Sequence, residues 1–192
     1  YCYETGFGVE RDAQEAAKWY QAAAVQGNRF AQMNHAGYLL GDALKTQNQD
    51  RFTEAREWYL KAHYQDESLT QAAYGIGVVY SQLQPKTPEN TKLAKRWFGL
   101  AAAGEHPDAQ FALGYIEEAS GNGRAAFNWY KLAKAGGSRP AVFNLGRCYE
   151  NGFGVAQSSK LAGEHYRLAA ISEHPESQYA LGLLIYNEAK TE

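Results

Sequence analysis

Among the side chains that could act as ligands, bases or nucleophiles, the scarcest are five histidines, His35, His63, His106, His165 and His174, and two cysteines, Cys2 and Cys148. A histidine metal site needs ligands spaced to share one face, backed by carboxylates, as in His-Glu-x-x-His. No such spacing occurs. His106 and His174 both lie in Glu-His-Pro and read as turn residues. No serine is followed three residues later by lysine, so a lysine-activated serine is absent. Gly6-x-Gly8 and Gly152-x-Gly154 have no preceding strand, third glycine or lysine, so they read as turns needing positive φ rather than phosphate loops. The acidic residues are scattered without a convergent pair. The sequence therefore assigns no catalytic residue, no cofactor and no metal.

The cysteines lead instead to the organisation of the chain. Cys148-Tyr149-Glu150-Asn151-Gly152-Phe153-Gly154-Val155 nearly copies Cys2-Tyr3-Glu4-Thr5-Gly6-Phe7-Gly8-Val9, with seven of eight residues shared. Such self-similarity marks a repeat protein. In a stack the two cysteines lie too far apart for a disulfide, which needs Cα atoms within about 7 Å. Both are expected to be unpaired, small, helix-borne core residues.

One helix is written five times. Trp19, Trp58, Trp97, Trp129 and, by substitution, His165 mark a common register, with Tyr20, Tyr59, Phe98, Tyr130 and Tyr166 next in line. Alanine stands three before (Ala16, Ala55, Ala94, Ala126, Ala162) and four after (Ala23, Ala62, Ala101, Ala133, Ala169). Seven before come Asp12, Arg51, Asn90, Asn122 and Ser158, four of them able to cap a helix, while Arg51 has Asp50 beside it. Asp12 with Glu15 has the pattern of a capping box, and Gly27 reads as a stop. His165, in a tryptophan slot, reads as a partly buried structural histidine.

A second helix lies between these, with a small residue at Ala36, Gly77, Gly114, Gly146 and Gly182. Three before it stand Met33, Tyr74, Phe111, Phe143 and Tyr179. Glycine within a helix costs about 1 kcal/mol relative to alanine. Its recurrence at one register predicts close helix–helix approach, with the bulky residue covering the gap. Spacings of 39, 39, 32 and 36 residues place the variation in loops: long polar ones near residues 41–52 and around Pro85 and Pro88, the shortest at Gly121-Asn122-Gly123. About ten helices and no strands are expected, ending with one from Pro175 to Ala189.

Composition limits the partners. Nineteen basic and 21 acidic residues give a net charge of −2, which argues against a nucleic-acid or anionic-membrane binder. No run of about 18 apolar residues occurs to span a membrane. Tyr1 begins partway into a repeat, so 1–192 is expected to be one repeat domain within a longer protein. Tyr38, Tyr64, Tyr115 and Tyr186 fall outside the repeat frame, but the charges around them are mixed rather than basic.

The pattern Ala-x-x-x-Leu-Gly-x-x-Tyr, then Gly-x-Gly-Val, Asp, Ala, Trp-Tyr and Ala resembles the Sel1-like repeat, a relative of the tetratricopeptide repeat. Gln110–Gly114, Leu145–Val155 and Tyr3–Ala23 carry the resemblance, with departures at His35, Leu39, Glu117 and His165. The resemblance implies an all-α fold: a right-handed α-solenoid of stacked antiparallel helix pairs, in about five repeats of 32–39 residues. It also implies a non-enzymatic, often bacterial, scaffold or adaptor; exported, periplasmic and cytoplasmic locations are all compatible. A cysteine-rich branch linked to β-lactams carries paired cysteines in each repeat, which this chain lacks.

In such solenoids the first helix of each pair lines the concave face. One position after the small residue stand Gly37, Val78, Tyr115, Arg147 and Leu183; four after it stand Leu40, Ser81, Glu118, Glu150 and Tyr186. Tyr115, Glu118, Arg147, Glu150 and Tyr186 are therefore the candidate partner-binding residues, of a mixed kind that suits a peptide or partner helix. The alternatives are ordinary solvated surface, a structural spacer within a larger protein, or a cell-envelope module taking a wall-derived or β-lactam ligand.

Overall fold

The computed structural model describes residues 10, 12–171 and 175–188, with side chains as far as residue 186. Cys2, Gly6, Gly8 and His174 lie outside the described residues. Those described form ten helices and no strand: α1 (Ala13–Val25), α2 (Arg29–Thr46), α3 (Gln49–Gln65), α4 (Thr70–Gln82), α5 (Pro88–Ala103), α6 (Pro107–Ala119), α7 (Gly123–Ala135), α8 (Arg139–Asn151), α9 (Ser159–Ala170) and α10 (Pro175–Glu188). The chain divides into two compact units, up to Gly104 and from Glu105. In the first, α1 packs on α2, α2 pairs with α3, α3 packs on α4, and α4 pairs with α5. In the second, α6 pairs with α7, α7 packs on α8, α8 pairs with α9, and α9 packs on α10.

Local chemistry sets the helix starts, not always where the repeat frame points. Asp12 accepts from the backbone N–H of Gln14 and Glu15 at 2.9 and 3.0 Å, so the N-cap forms, while Glu15 turns to Lys18 at 2.9 Å. Ser158 caps α9 by accepting from Leu161 N. The α3 cap is Asn48, which accepts from Asp50 N and Arg51 N, so both of those belong to the first turn. The α5 cap is Thr87, which accepts from Asn90 N, with Pro88 at the first helical position. Asn122 does occupy the α7 cap, but its amide donates to Glu117 at 2.7 Å.

The long loop expected near residues 41–52 is instead mostly helix. Leu39, Leu40 and Ala43 continue the buried stripe of α2, and only Gln47 and Asn48 separate α2 from α3. That turn is shorter than the Ser120–Asn122 connection expected to be shortest. Around Pro85 the connection is long, as expected. Gly152 and Gly154 have φ of 65° and 75°, the turn role read for them.

The recurring glycine has a different purpose from the one expected: it makes room for a ring, not for a crossing backbone. A Cβ on Gly114 or Gly146 would stand 2.5 Å from the ring of Tyr130 or Tyr166, and one on Gly77 would stand 2.6 Å from Phe98. These rings come from the second helix of the same pair. Each is covered by the bulky residue preceding the glycine: Tyr74 on Phe98, Phe111 on Tyr130 and Phe143 on Tyr166, at centroid separations of 5.8, 5.7 and 5.6 Å. Tyr130 and Tyr166 are fully buried, and the repeating alanines Ala126, Ala133 and Ala162 are at 0% exposure beside them. Where Ala36 replaces glycine, Tyr59 lies against Gly37 and Gly75 instead. The tryptophans do not form the core: Trp19 is exposed and Trp58, Trp97 and Trp129 are half-buried. On α10 the frame is unfilled, since no described atom lies within 4 Å of a Cβ at Gly182 and Tyr179 is exposed.

Gly114→Ala and Gly146→Ala should therefore each destabilise the protein by about 1–3 kcal/mol despite their helix propensity. Gly182→Ala, at the same register with no ring against it, should be neutral or stabilising by up to about 1 kcal/mol. Urea melts of the three variants would separate ring clearance from a backbone requirement, which would penalise all three alike.

Candidate functional site

The described histidines and Cys148 do not converge. Among the described residues no group of three or more His, Cys, Asp or Glu could hold a metal. Likewise no described helix is long and apolar enough to cross a membrane. His106 caps α6, its Nδ1 accepting from Ala109 N at 3.4 Å, as a turn residue would. His165 stacks on Tyr149 at 5.3 Å, half-buried as expected. Its Nδ1 lies 2.9 Å from the Leu161 carbonyl and its Nε2 lies 3.3 Å from Lys134 Nζ. The carbonyl can only accept and the ammonium only donate, so Nδ1 carries the proton and the ring is neutral. Burial above all lowers its pKa, and Lys134 adds to that.

His35 stands where four other repeats place Ile76, Leu113, Leu145 and Leu181. It is 4% exposed, neither ring nitrogen has a hydrogen-bond partner, and its ring meets the edge of Trp58 at 5.6 Å. Burial lowers its pKa, Glu54 opposing and Arg51 assisting. Cys148 is buried and free. Burial, assisted by Glu118, pushes its thiol up to about 11, so at neutral pH it is not a thiolate nucleophile.

The polar chemistry of the second unit is built on the ring-on-glycine contact. One helical turn after Gly114 stands Glu118, and Tyr130 Oη donates to its Oε2 at 2.6 Å. One turn after Gly146 stands Glu150, and Tyr166 Oη donates to its Oε2, also at 2.6 Å. Burial first, and then the hydrogen-bonded carboxylate, raises both phenol pKa values far above the ordinary tyrosine range. In the α4–α5 pair of the first unit the equivalent ring is Phe98, which has no hydroxyl, and the equivalent of glutamate is Ser81, bonded to its own helix at Val78 O.

Of the five residues expected to form a partner surface, Glu118 and Arg147 are joined directly, Nη2 to Oε1 at 3.0 Å. Arg147 and Glu150 share the wall of a 480 Å³ cavity with Phe143, Tyr166, Tyr179 and Leu183. Tyr115 and Tyr186 are exposed, at 63% and 57%, and do not line it. Tyr130 and Tyr166 were legible only as core residues. The signal for their second role is that the two tyrosines seated on glycine face glutamate, whereas Phe98 faces Ser81 and Tyr59, in the pair with Ala36, faces Leu40.

Successive antiparallel helix pairs, three of them locked by a ring on a glycine, define an α-solenoid of the tetratricopeptide-like class. The chain belongs to the Sel1 repeat family, whose model matches residues 1–28, 30–66, 70–106, 107–138, 139–174 and 175–189. Sel1 repeats generally serve as non-catalytic scaffolds for protein interaction. A Sel1 repeat protein from Oxalobacter formigenes superposes with a TM-score of 0.77 at 26% identity, over 96% of this chain and 74% of that one. The protein c5321, a protective antigen of uropathogenic Escherichia coli strains with an SLR fold, gives 0.65 at 24% identity. There the match covers 98% of this chain but 48% of the antigen, and the likeness is one of fold. No curated protein matches.

His35→Leu should stabilise the protein by about 1–2 kcal/mol by removing a buried, unpaired polar ring. A lowered folded-state pKa means that stability is complete above the ordinary value of 6.5 and falls as pH drops, because the unfolded chain takes up the proton first. The variant should lose part of that acid sensitivity, measured by melts between pH 7 and 5. Alkylation of Cys148 by iodoacetamide at pH 7.5 should be slow in the folded protein and rise sharply in denaturant; rapid native labelling would contradict the burial of the thiol.

Proposed function

We propose that this chain is a non-enzymatic interaction module that binds a peptide or partner protein on the face formed by the first helices of its pairs, α6, α8 and α10 in the second unit. The observation that carries the reading is the cavity at Arg147 and Glu150, flanked by the exposed apolar side chains Tyr179 and Leu183. Large exposed aromatics beside a half-exposed charge pair have the composition of a binding hot spot, where aromatic and arginine side chains dominate the energy. Tyr115 and Tyr186, exposed on α6 and α10, extend that composition along the same helices. The buried protonated thiol of Cys148 and the neutral ring of His165 favour binding over covalent chemistry.

Affinity capture from native extract, followed by mass spectrometry, tests this with the wild-type chain beside Tyr115→Ala and Arg147→Glu. Both positions are exposed, so far-UV circular dichroism should be unchanged in both variants. Proteins retained by the wild type should be depleted about tenfold by each variant. Equal retention by all three would move the binding face elsewhere, and retention of nothing specific would favour a spacer.

A further inference from the structure

Two consecutive copies of one polar site can be compared within the second unit. In the earlier copy, the Glu118 carboxylate is satisfied on both oxygens: Tyr130 Oη donates to Oε2 at 2.6 Å, and Arg147 lies 3.0 Å from Oε1. Arg147 comes from the first helix of the next pair, one residue after the glycine Gly146. In the later copy Tyr166 Oη holds Glu150 Oε2 at the same 2.6 Å. The position that should supply the cation, one residue after Gly182, is Leu183. Among the described residues no lysine, arginine or histidine forms an ion pair with Glu150, and its Oε1 accepts no hydrogen bond. Arg147, three residues earlier, lines the same cavity but pairs with Glu118, so Glu150 is left without a cation there, beside the aromatic and aliphatic surface of Phe143, Tyr166, Tyr179 and Leu183.

We propose that this cavity receives a cationic side chain of the bound peptide, arginine in preference to lysine, which takes the place at Glu150 that Arg147 takes at Glu118. This rests on the reading of the face as a peptide-binding surface and names what it recognises. A half-buried carboxylate with one open oxygen gives charge complementarity. The apolar walls suit the methylene stem of a long basic residue. Aromatic faces favour a planar, weakly hydrated guanidinium over an ammonium ion. The repulsion expected from Arg147 is largely cancelled by its own partner 3.0 Å away. A volume of 480 Å³ accommodates one such side chain with part of its flanking backbone.

The test uses the 192-residue chain and an array of capped octapeptides of randomised sequence. Bound peptides are sequenced for the wild type, Glu150→Gln, Leu183→Arg and Tyr115→Ala. The wild type should enrich arginine, then lysine, at one position about tenfold over citrulline or glutamine. Glu150→Gln should abolish that enrichment, and Leu183→Arg should abolish it by filling the site from within. Tyr115→Ala should lower total binding and leave the preference intact. Leu183→Arg should also raise Tm, and should not do so when combined with Glu150→Gln, which separates ion pairing from general surface change. Peptides retained without a basic preference would overturn this inference and leave the peptide-binding reading standing. Retention of no peptide would overturn both. A preference unchanged in Glu150→Gln would place the basic subsite elsewhere and overturn the assignment.

Discussion

An aromatic ring of the second helix rests on a glycine of the first, and the packing of each regular pair depends on that contact. The glycine costs about 1 kcal/mol of helix propensity. Burying the ring returns roughly 1.5–3 kcal/mol, and the covering aromatic adds about 0.5–1.5 kcal/mol. The exchange is favourable only while nothing occupies the Cβ position. Three copies keep nearly the same geometry, with interplanar angles of 40°, 38° and 39°. A methyl group there would lift the ring away from the alanines above and below it, which have no side-chain length with which to follow.

The same contact creates the polar site. A phenol carried into the core on that ring needs a hydrogen-bond partner, since a buried hydroxyl left unpaired costs about 1–3 kcal/mol. Glutamate one turn beyond the glycine supplies it for Tyr130 and for Tyr166. That brings a carboxylate to the edge of the core, where it seeks a cation in turn. Arg147 answers for Glu118. Core packing, tyrosine orientation and surface charge thus form one causal sequence within each pair, and the phenylalanine pair of the first unit, with Ser81, shows the sequence stopping at its first step.

The fold was almost wholly legible in the sequence because its frame is written in residue size. Alanine at two fixed positions, an aromatic between them and glycine opposite repeat often enough to give helix number and pairing. Less legible was anything decided by one or two hydrogen bonds. Asn48 and Thr87 outcompete the frame positions Arg51 and Asn90 for the caps because they stand where the backbone N–H groups first come free. The stretch near residues 41–52 reads as polar loop by composition, yet Leu39, Leu40 and Ala43 give α2 enough buried surface to continue. The glycine was recognised as a contact point but assigned the wrong neighbour, because sequence reports that space is needed and not what fills it. The register, with the face taken from the family resemblance, singled out Glu118, Arg147 and Glu150, and the structure joins the first two and sets the last two on one cavity. Their tyrosine partners were hidden by being core residues as well, and Leu183 acquires meaning only when its distance from a cation-free carboxylate is replaced by its equivalence to Arg147.

That equivalence indicates how one frame can carry different specificities. The residue after the small position is Gly37, Val78, Tyr115, Arg147 or Leu183 in successive repeats, whereas the residues that seat the ring hardly change. The ring-on-glycine contact does not fix this position to one residue type: Gly37 lies against Tyr59 and Val78 packs on the core of the first unit, whereas Tyr115, Arg147 and Leu183 are exposed. It can therefore vary without loss of fold. At Glu118 and Glu150 the residue one turn later is less free, since each accepts from a buried phenol. A fixed carboxylate beside a variable neighbour is either closed internally, as Arg147 closes Glu118, or left open, as Leu183 leaves Glu150. On the proposed reading, where a charged partner is held in the second unit is then decided by the residue that follows the glycine.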